Sequence, residues 1–188
     1  MPLFTFLLGT GCRIGEMIGL RWNDCDFENN EIFINQNVIY RFRDYDGWRF
    51  RLTTPKTNAG NRVVPMLSEV REALLQEREN QKRFKLKSPT IDGYSNFVFL
   101  NREQNLHNPM TINRAMKRII RDHNRDEVKL AEKEKREPLL IRDFSVHNLR
   151  HTFCTRFCEN ETNLKVIQEI MGHSDISTTM NIYAEATA

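Results

Sequence analysis

Five residues of this chain have the types and spacing to act together on a phosphate ester. His147, Arg150, His173 and Tyr183 follow one another in the last quarter of the sequence, and Arg13 stands far upstream in TGCRIGEMIGLRW. Fixed arginine and histidine donors stabilise charge that develops on phosphate oxygens, and a phenol oxygen is a nucleophile. A protein could use such a set to break a phosphodiester covalently without a metal.

The spacing of His147 and Arg150 places both side chains on one face of a helix. Residues three apart are neighbours on a helix, and this pair lies near the start of a helix that Ser145 is predicted to cap. Free backbone N–H groups and a partial positive charge at that end suit a phosphate. Leu149 and Phe153 occupy another face, which leaves the pair free to line a groove.

Each of these residues also has an ordinary structural explanation when it is taken alone. Arg150 could form a structural ion pair, and a histidine near a helix end could be a cap or a partner of the helix dipole. Tyr183 could be a packing residue. Arg13 lies in an apolar stretch and needs an anionic partner, which Glu16 on the next turn could supply. The joint occurrence of the set favours the phosphate site.

Two metal-dependent alternatives arise from the histidines and cysteines of the same segment. Cys154 and Cys158 follow His147 and His151 closely, but all four fall on one predicted helix, whereas a tetrahedral zinc site usually draws ligands from at least two elements. A zinc protease built on the two histidines would need a glutamate directly after the first, where Asn148 stands. We therefore expect no metal and no other cofactor.

Composition describes a soluble globular protein of one domain. The 188 residues are 39% hydrophobic and 28% charged, with a net charge of +3 that permits a polyanionic partner without demanding one. No apolar run approaches the ~20 residues that span a bilayer, so we expect no membrane association. The four cysteines lack the spacing of a disulfide framework, which favours a reducing cytosol.

The elements that must position the site are predicted to be mainly α-helical, with one small antiparallel sheet. Residues 31–42 and 48–55 are predicted strands joined by a hairpin at 46–47, and residues 62–66 are a third strand. The fold class is therefore α+β with a three-stranded sheet. Apolar spacing and capping residues predict helices that begin near Ile14, Ser68, Met110, Ser145 and Asn163. The charged run 121–137 is predicted to be a solvated helix face or a mobile connection.

Four stretches in this order resemble the boxes of the tyrosine recombinases, the phage-integrase family. They are TGCRIGEMIGLRW, HNLRHTFCTR, GHSDISTT and NIY. The likeness is greatest to the integrases of conjugative transposons, and it covers nearly the whole chain, including TPKTNAGNRVVP in the predicted sheet. The resemblance implies a tyrosine recombinase catalytic-domain fold.

The resemblance also implies a role for each residue of the phosphate site. Arg13 and Arg150 would bind the non-bridging oxygens of the scissile phosphate. His147 and His173 would add hydrogen bonds to the same phosphate, and His147 could handle the tyrosine proton.

Three further residues receive roles from the same resemblance. Tyr183 would be the nucleophile that forms a 3′-phosphotyrosine, and Lys56 would protonate the departing 5′ oxygen. Glu16 matches an acidic position that supports the active-site arginine. Since a phenol has a pKa near 10, the attack needs a base or a positive field nearby.

A basic and aromatic hairpin is the predicted contact with the DNA backbone. Arginines interleaved with Phe42, Tyr45 and Trp48 suit such contact, and they equally suit an ordinary exposed sheet face. The candidate contacts are Arg41, Arg43, Arg49, Arg51, Arg62 and Lys165.

The expected protein is a bacterial, cytoplasmic, DNA-associated enzyme that integrates and excises a mobile element. Its expected partners are double-stranded DNA at attachment or transposon-end sites and other recombinase protomers, which form a tetramer when full length. Residues 1–188 are expected to be a catalytic-domain fragment that lacks N-terminal DNA-binding domains and a C-terminal tail. The alternative is a DNA-binding module of the same fold without strand exchange.

Overall fold

The computed structural model describes residues 2–54 and 60–187, and these residues form helices around two small sheets. The helices are α1 (Pro2–Thr10), α2 (Ile14–Gly19), α3 (Ser68–Arg83), α4 (Pro109–Glu134), α5 (Val146–Cys158), α6 (Leu164–Met171) and α7 (Ile176–Thr187). The strands are β1 (Cys25–Asp26), β2 (Glu31–Ile34), β3 (Asn37–Arg43), β4 (Gly47–Thr53) and β5 (Arg62–Pro65). Among the described residues no helix is long and apolar enough to cross a membrane.

The predicted fold class is confirmed, although the three-stranded sheet is composed differently from the prediction. The three strands are β1, β2 and β5, all antiparallel, while β3 and β4 form a separate two-stranded hairpin. The single strand predicted over 31–42 is wrong, because the chain leaves the first sheet after Ile34. Asn35 turns its side chain back to Asp24, 3.0 Å away, and the next strand begins at Asn37.

The hairpin of β3 and β4 is confirmed at the predicted turn. Its register runs from Asn37 opposite Thr53 to Arg43 opposite Gly47. Tyr40 stacks on Trp48 with ring centroids 5.2 Å apart, and such cross-strand aromatic pairs stabilise an isolated ribbon. The hairpin therefore extends from the core without a third strand beside it among the described residues.

The main core lies among α1, α2, α3 and the three-stranded sheet. Phe6 of α1 packs edge-on against Phe99 at 5.4 Å, and both side chains are fully buried. Helix α2 approaches β3 so closely that a Cβ atom on Gly15 would lie 2.6 Å from the carbonyl oxygen of Val38. This contact places the start of β3 directly beside the N-terminus of α2.

A second, smaller cluster joins the last three helices. Its buried members are Cys154 and Cys158 of α5 with Ile167 and Met171 of α6. All four cysteines of the chain are buried and reduced. Since α7 packs on the same cluster, the C-terminal helices form one unit.

Local capping signals are confirmed at two of the predicted helix starts and wrong at a third. Ser145 caps α5, where the side chain of Asn148 accepts the Ser145 N–H at 3.0 Å, and Asn163 caps α6 by accepting the N–H of Lys165 at 3.0 Å. Helix α3 instead has Leu67 at the N-cap, because the Ser68 hydroxyl donates to Glu69.

Helix α4 contains both the predicted helix from Met110 and the first part of the charged run. It continues without a break for 26 residues from an Asn108 cap to Glu134. Arg136 then folds back to Glu127 at 2.5 Å. The charged run is thus largely the solvated end of one long helix.

Candidate active site

Arg13 stands at the N-terminus of α2 and is fixed by Glu16, as predicted. The Arg13 backbone N–H donates to Glu16 Oε2 at 2.8 Å, and its guanidinium donates to Oε1 at 2.9 Å. The Glu16 side chain is 4% exposed, while that of Arg13 is 42% exposed. The carboxylate therefore orients the arginine from inside, and part of the guanidinium faces solvent.

Arg150 is buried on α5 and is held by main-chain carbonyls. Its two terminal nitrogens donate to the carbonyl oxygens of Gly11 and Met171, each at 2.6 Å. Burial first, and then the charge of Arg13, lower the pKa of Arg150 to about 10. The group stays protonated near neutral pH, and its contacts fix its direction without cancelling its charge.

His173 is buried directly after the end of α6. Gly172 ends that helix with a φ of +62°, a left-handed conformation that glycine adopts without strain. The Nδ1 atom of His173 lies 3.0 Å from the hydroxyl of Thr179, which is itself fully buried. Burial, followed by the charges of Arg150 and Arg13, lowers the pKa of His173 to about 4, so the imidazole is neutral at pH 7.

Thr179 was not identified as a site residue from the sequence. It is one of two adjacent threonines in STT, and only the orientation of α7 distinguishes it from Thr178. No local pattern predicts which of the two reaches the histidine.

His147 lies on the exposed face of α5, at the mouth of a groove. The groove has a volume of about 400 Å³ and is lined by Arg13 and His147 on one side and by Asn37, Tyr40 and Arg41 of β3 on the other. Burial, then the neighbouring charges of His151 and the two arginines, lower the pKa of His147. A neutral imidazole is therefore available at the groove.

Tyr183 is the last of the predicted catalytic residues that the structure describes. Tyr183 lies on α7, half-buried against the cluster that contains Cys154 and Met171. The carbonyl of Met171 also accepts a hydrogen bond from Arg150. The tyrosine therefore packs on the same helices, α5 and α6, that position this arginine. Lys56 lies outside the described residues.

The predicted DNA-contact set divides into exposed and internally bonded residues. Arg41, Arg43 and Arg49 of the hairpin are exposed. Arg43 donates to the Tyr45 hydroxyl at 2.5 Å and Arg49 to the Asp46 carbonyl at 3.1 Å, while the Arg51 guanidinium forms an ion pair with the Asp46 carboxylate. Lys165 is 72% exposed and lies 3.9 Å from Glu169.

The interpretation of Arg62 as a DNA contact is wrong. Its side chain is only 4% exposed, and both terminal nitrogens donate to the carboxylate of Glu16, at 3.0 and 2.8 Å. Its Nε atom donates to the carbonyl of Ile170 at 2.7 Å. The terminal nitrogens also reach the carbonyl of Gly60 at 3.4 Å and the sulfur of Cys12 at 3.9 Å, so all five donors of this buried guanidinium have partners within the protein.

The cysteines and histidines do not gather into a ligand set in the described part of the chain. Residues 2–54 and 60–187 contain no group of three or more His, Cys, Asp or Glu side chains placed to hold a metal ion. Burial raises the pKa of Cys154 to about 12, which keeps that thiol protonated. His147 and His151 contact each other edge-on with ring centroids 4.7 Å apart.

Four of the predicted site residues are thus brought together. Arg13 donates to the carbonyl of Gly172, which precedes His173, and Arg150 reaches the carbonyl of Gly11, close to Arg13. Two guanidinium groups and two neutral imidazoles meet where α2, α5 and α6 converge, and the nearby carboxylate of Glu16 is already saturated by arginines. This arrangement can bind an anion and stabilise additional negative charge on it.

Comparison with known proteins matches this chain over almost its entire length. The family model described as the phage integrase family matches residues 2–188. The transposase from transposon Tn916 of Enterococcus faecalis is 39% identical over 185 residues, which are 96% of this chain and 41% of that protein. A XerC-like tyrosine recombinase of Caldanaerobacter subterraneus is 31% identical over 188 residues, 96% of this chain and 44% of that protein.

A solved structure agrees with the fold. The Tn1549 transposon integrase in complex with transposon right end DNA superposes with a TM-score of 0.81 at 33% identity, covering 97% of this chain and 53% of that one. This chain spans less than half the length of the curated relatives named above. The chain belongs to the phage integrase family.

Proposed function

We propose that this chain is the catalytic domain of a site-specific DNA recombinase that integrates and excises a mobile element. The observation that carries the proposal is the convergence of Arg13, Arg150, His147 and His173 at one place. Among the described residues that these four side chains contact, no carboxylate is left without a partner. The phosphate of a DNA strand is an anion that such a place would bind. The family and the similarity to a transposon transposase support the same assignment.

In the proposed reaction Tyr183 attacks a phosphodiester of one DNA strand. The phenol oxygen forms a bond to phosphorus, the bond from phosphorus to the 5′ oxygen breaks, and the phenol proton leaves. The departing 5′ oxygen takes up a proton, for which Lys56 is the proposed donor. The product is a 3′-phosphotyrosine and a free 5′-hydroxyl, and attack by another 5′-hydroxyl reverses the step.

The fixed cations lower the barrier because they bind the transition state better than the ground state. Extra charge collects on the non-bridging oxygens as the phenol approaches, and donors that are already oriented need no reorganisation. Arg150 is oriented by two carbonyls and Arg13 by Glu16. His173 and His147, both neutral near pH 7, supply hydrogen bonds rather than charge.

The proposed substrate is double-stranded DNA at the ends or attachment sites of the element. The similar Tn1549 integrase was solved in complex with transposon right end DNA. In this chain the groove beside Arg13 continues along β3 past Tyr40 to Arg41, where exposed arginines could follow the DNA backbone. Other copies of the protein are the proposed partners during strand exchange.

Covalent trapping on nicked DNA tests the proposal. The probe is a pool of nicked duplexes with a randomised central region, because loss of the short strand beyond the nick prevents religation and preserves the adduct. We expect the wild-type protein to form a covalent adduct and Tyr183→Phe to form none, with DNA binding retained.

The matched control is Tyr94→Phe, which removes a phenol hydroxyl outside the groove. It should form adduct at the wild-type rate. Failure of the wild-type protein to form adduct, or equal adduct yields from wild type and Tyr183→Phe, would contradict the proposed reaction.

A further inference from the structure

Three consecutive carbonyls at the end of α6 are bound by three arginines from three different elements. Arg62 of β5 donates to Ile170 O at 2.7 Å, Arg150 of α5 to Met171 O at 2.6 Å, and Arg13 to Gly172 O at 3.3 Å. The C-terminal carbonyls of a helix lack intrahelical partners and carry partial negative charge. Cations are the natural partners of this helix end.

Two of these arginines belong to the proposed phosphate site, and Arg62 does not. The side chain of Arg62 is 4% exposed, so neither DNA nor solvent reaches it. Besides Glu16 and Ile170, its guanidinium reaches the carbonyl oxygen of Gly60 at 3.4 Å and the sulfur of Cys12 at 3.9 Å. A role for this residue must therefore act through its neighbours.

The carboxylate of Glu16 connects Arg62 to Arg13. Oε1 accepts from both guanidinium groups, at 2.9 Å from Arg13 and 3.0 Å from Arg62. Oε2 accepts from the Arg13 backbone N–H and from Arg62, both at 2.8 Å. Each carboxylate oxygen thus has two donors, and removing Arg62 takes one donor from each oxygen in a buried place.

We propose that Arg62 is a positioning residue that locks the carboxylate of Glu16 and the end of α6 in one geometry, and so sets both Arg13 and His173 for the phosphate. The inference rests on the proposed function, since it concerns the same site. One guanidinium spans the two supports: the carboxylate that orients Arg13 and the helix end that leads through Gly172 to His173.

The electrostatics of the buried pair agree with this geometry. Burial alone would raise the pKa of Glu16, but the hydrogen bonds and charge of Arg62, followed by those of Arg13, hold it below its usual value. The carboxylate is therefore ionised and remains a firm acceptor for Arg13. A lysine at position 62 would keep the charge and lose the planar fork that spans both supports.

The test is Arg62→Lys, compared with Arg21→Lys as a matched control. Arg21 also binds a buried carboxylate through two nitrogens, with Nε at 3.0 Å and a terminal nitrogen at 2.9 Å from the oxygens of Asp24, and it lies outside the groove. We expect Arg62→Lys to slow adduct formation on nicked duplexes by roughly tenfold to a hundredfold, as misplaced groups do. DNA affinity should stay at the wild-type level, and Arg21→Lys should keep the wild-type rate.

A second readout does not depend on activity. Amide hydrogen exchange over residues 168–175 should be faster in Arg62→Lys than in the wild type and unchanged in Arg21→Lys. If the wild-type protein forms no adduct, the proposed function fails, and the exchange comparison alone decides the role of Arg62. Equal exchange over this segment in Arg62→Lys and wild type would overturn the inference.

A double variant covers the case in which Arg62→Lys does not fold. Glu16→Gln combined with Arg62→Met removes both charges of the buried pair together, and replacement of a whole buried pair is often tolerated. We expect this variant to fold, to bind DNA and to show the same loss of rate and the same faster exchange. A wild-type rate in the folded double variant would equally overturn the inference.

Discussion

Arg150 and Arg13 are oriented in two different ways, and the difference matters for an anion. Main-chain carbonyls hold Arg150, so its charge is not neutralised, and burial strengthens the interaction of that charge with a phosphate. The carboxylate of Glu16 orients Arg13, and the same carboxylate also binds Arg62. The site therefore combines one buried cation held by carbonyls with one that faces the groove.

The lowered pKa of His173 predicts a specific dependence of stability on pH. The folded protein keeps this imidazole neutral down to about pH 4, whereas the unfolded chain protonates it below its usual pKa of 6.5. The unfolded state therefore binds more protons in this window, so stability is full above pH 6.5 and falls as the pH drops toward 4. His173→Asn should remove roughly 1 to 2 kcal/mol of the difference in unfolding free energy between about pH 7 and about pH 5.

Urea unfolding at the two pH values checks this prediction. The control is His123→Asn, an exposed histidine on α4, which should retain the wild-type difference. If His173→Asn and wild type lose the same free energy between the two pH values, the histidine is not held neutral by the fold.

At the scale of elements, local sequence signals predicted where α6 begins and ends, whereas the pairing of strands that are far apart in the sequence was not predicted. Asn163 and Gly172 act through bonds within their own turns, so their residue types reveal the helix bounds. The pairing of β5 with β2 joins residues about 30 positions apart, and no local pattern distinguishes it from pairing with β4.

The same distinction explains which site contacts were predictable. Glu16 lies three residues from Arg13 on one helical turn, and their pairing followed from spacing. Arg62 reaches the same carboxylate from 46 residues away, and an arginine in an exposed-looking strand gives no sign of it. The grouping of His147 with Arg150 was likewise predictable, while the contact of His173 with Thr179 needed the fold.

Both stability and adduct formation should be sensitive to substitution at the end of α6, because this helix end positions His173. Gly172→Ala forces a side chain into a left-handed conformation, which costs roughly 1 to 2 kcal/mol. The strain can be relieved by moving the turn that carries His173, so adduct formation should also slow. Thermal unfolding and single-turnover adduct formation measure the two effects.

Gly93→Ala is the matched control for the helix-end prediction. Gly93 has a φ of +83°, and a Cβ atom there would meet no neighbour within 4 Å. The strain should be similar, while the rate of adduct formation should be unchanged. Equal slowing in both variants would show that the rate reports stability and not the placement of His173.

At the scale of the whole molecule, the arginines join two hydrophobic clusters. The main core contains α1, α2 and the three-stranded sheet, and the second cluster contains α5, α6 and α7. Arg150 bonds to Gly11 at the edge of the first and to Met171 within the second. The site thus lies at their junction, with the hairpin of β3 and β4 extending from its groove.

The exposed arginines of the hairpin lead to a prediction of how DNA affinity should depend on salt concentration. Arg41 and Arg43 are exposed on β3, and the net charge of +3 leaves DNA attraction dependent on such local clusters. Replacing both with glutamine should lower the slope of log affinity against log salt by about 0.9 for each DNA phosphate that is no longer neutralised. Fluorescence anisotropy with labelled duplex DNA over a salt series measures the slope.

Arg125→Gln supplies the control for the salt series. Arg125 is 60% exposed on the solvated part of α4 and lies outside the groove. Its removal changes the net charge without removing a proposed DNA contact. A slope that falls equally for Arg125→Gln and for an equal number of hairpin substitutions would mean that only total charge matters.

Mass spectrometry of the trapped covalent adduct tests the central claim most directly. The wild-type protein is incubated with the nicked duplex pool, the adduct is digested with protease and nuclease, and the modified peptide is sequenced. We predict a nucleotide linked through its 3′-phosphate to Tyr183, with a 5′-hydroxyl on the released strand. A nucleotide attached to any other residue, or a released strand that ends in a 5′-phosphate, would contradict the assignment of Tyr183 as the nucleophile.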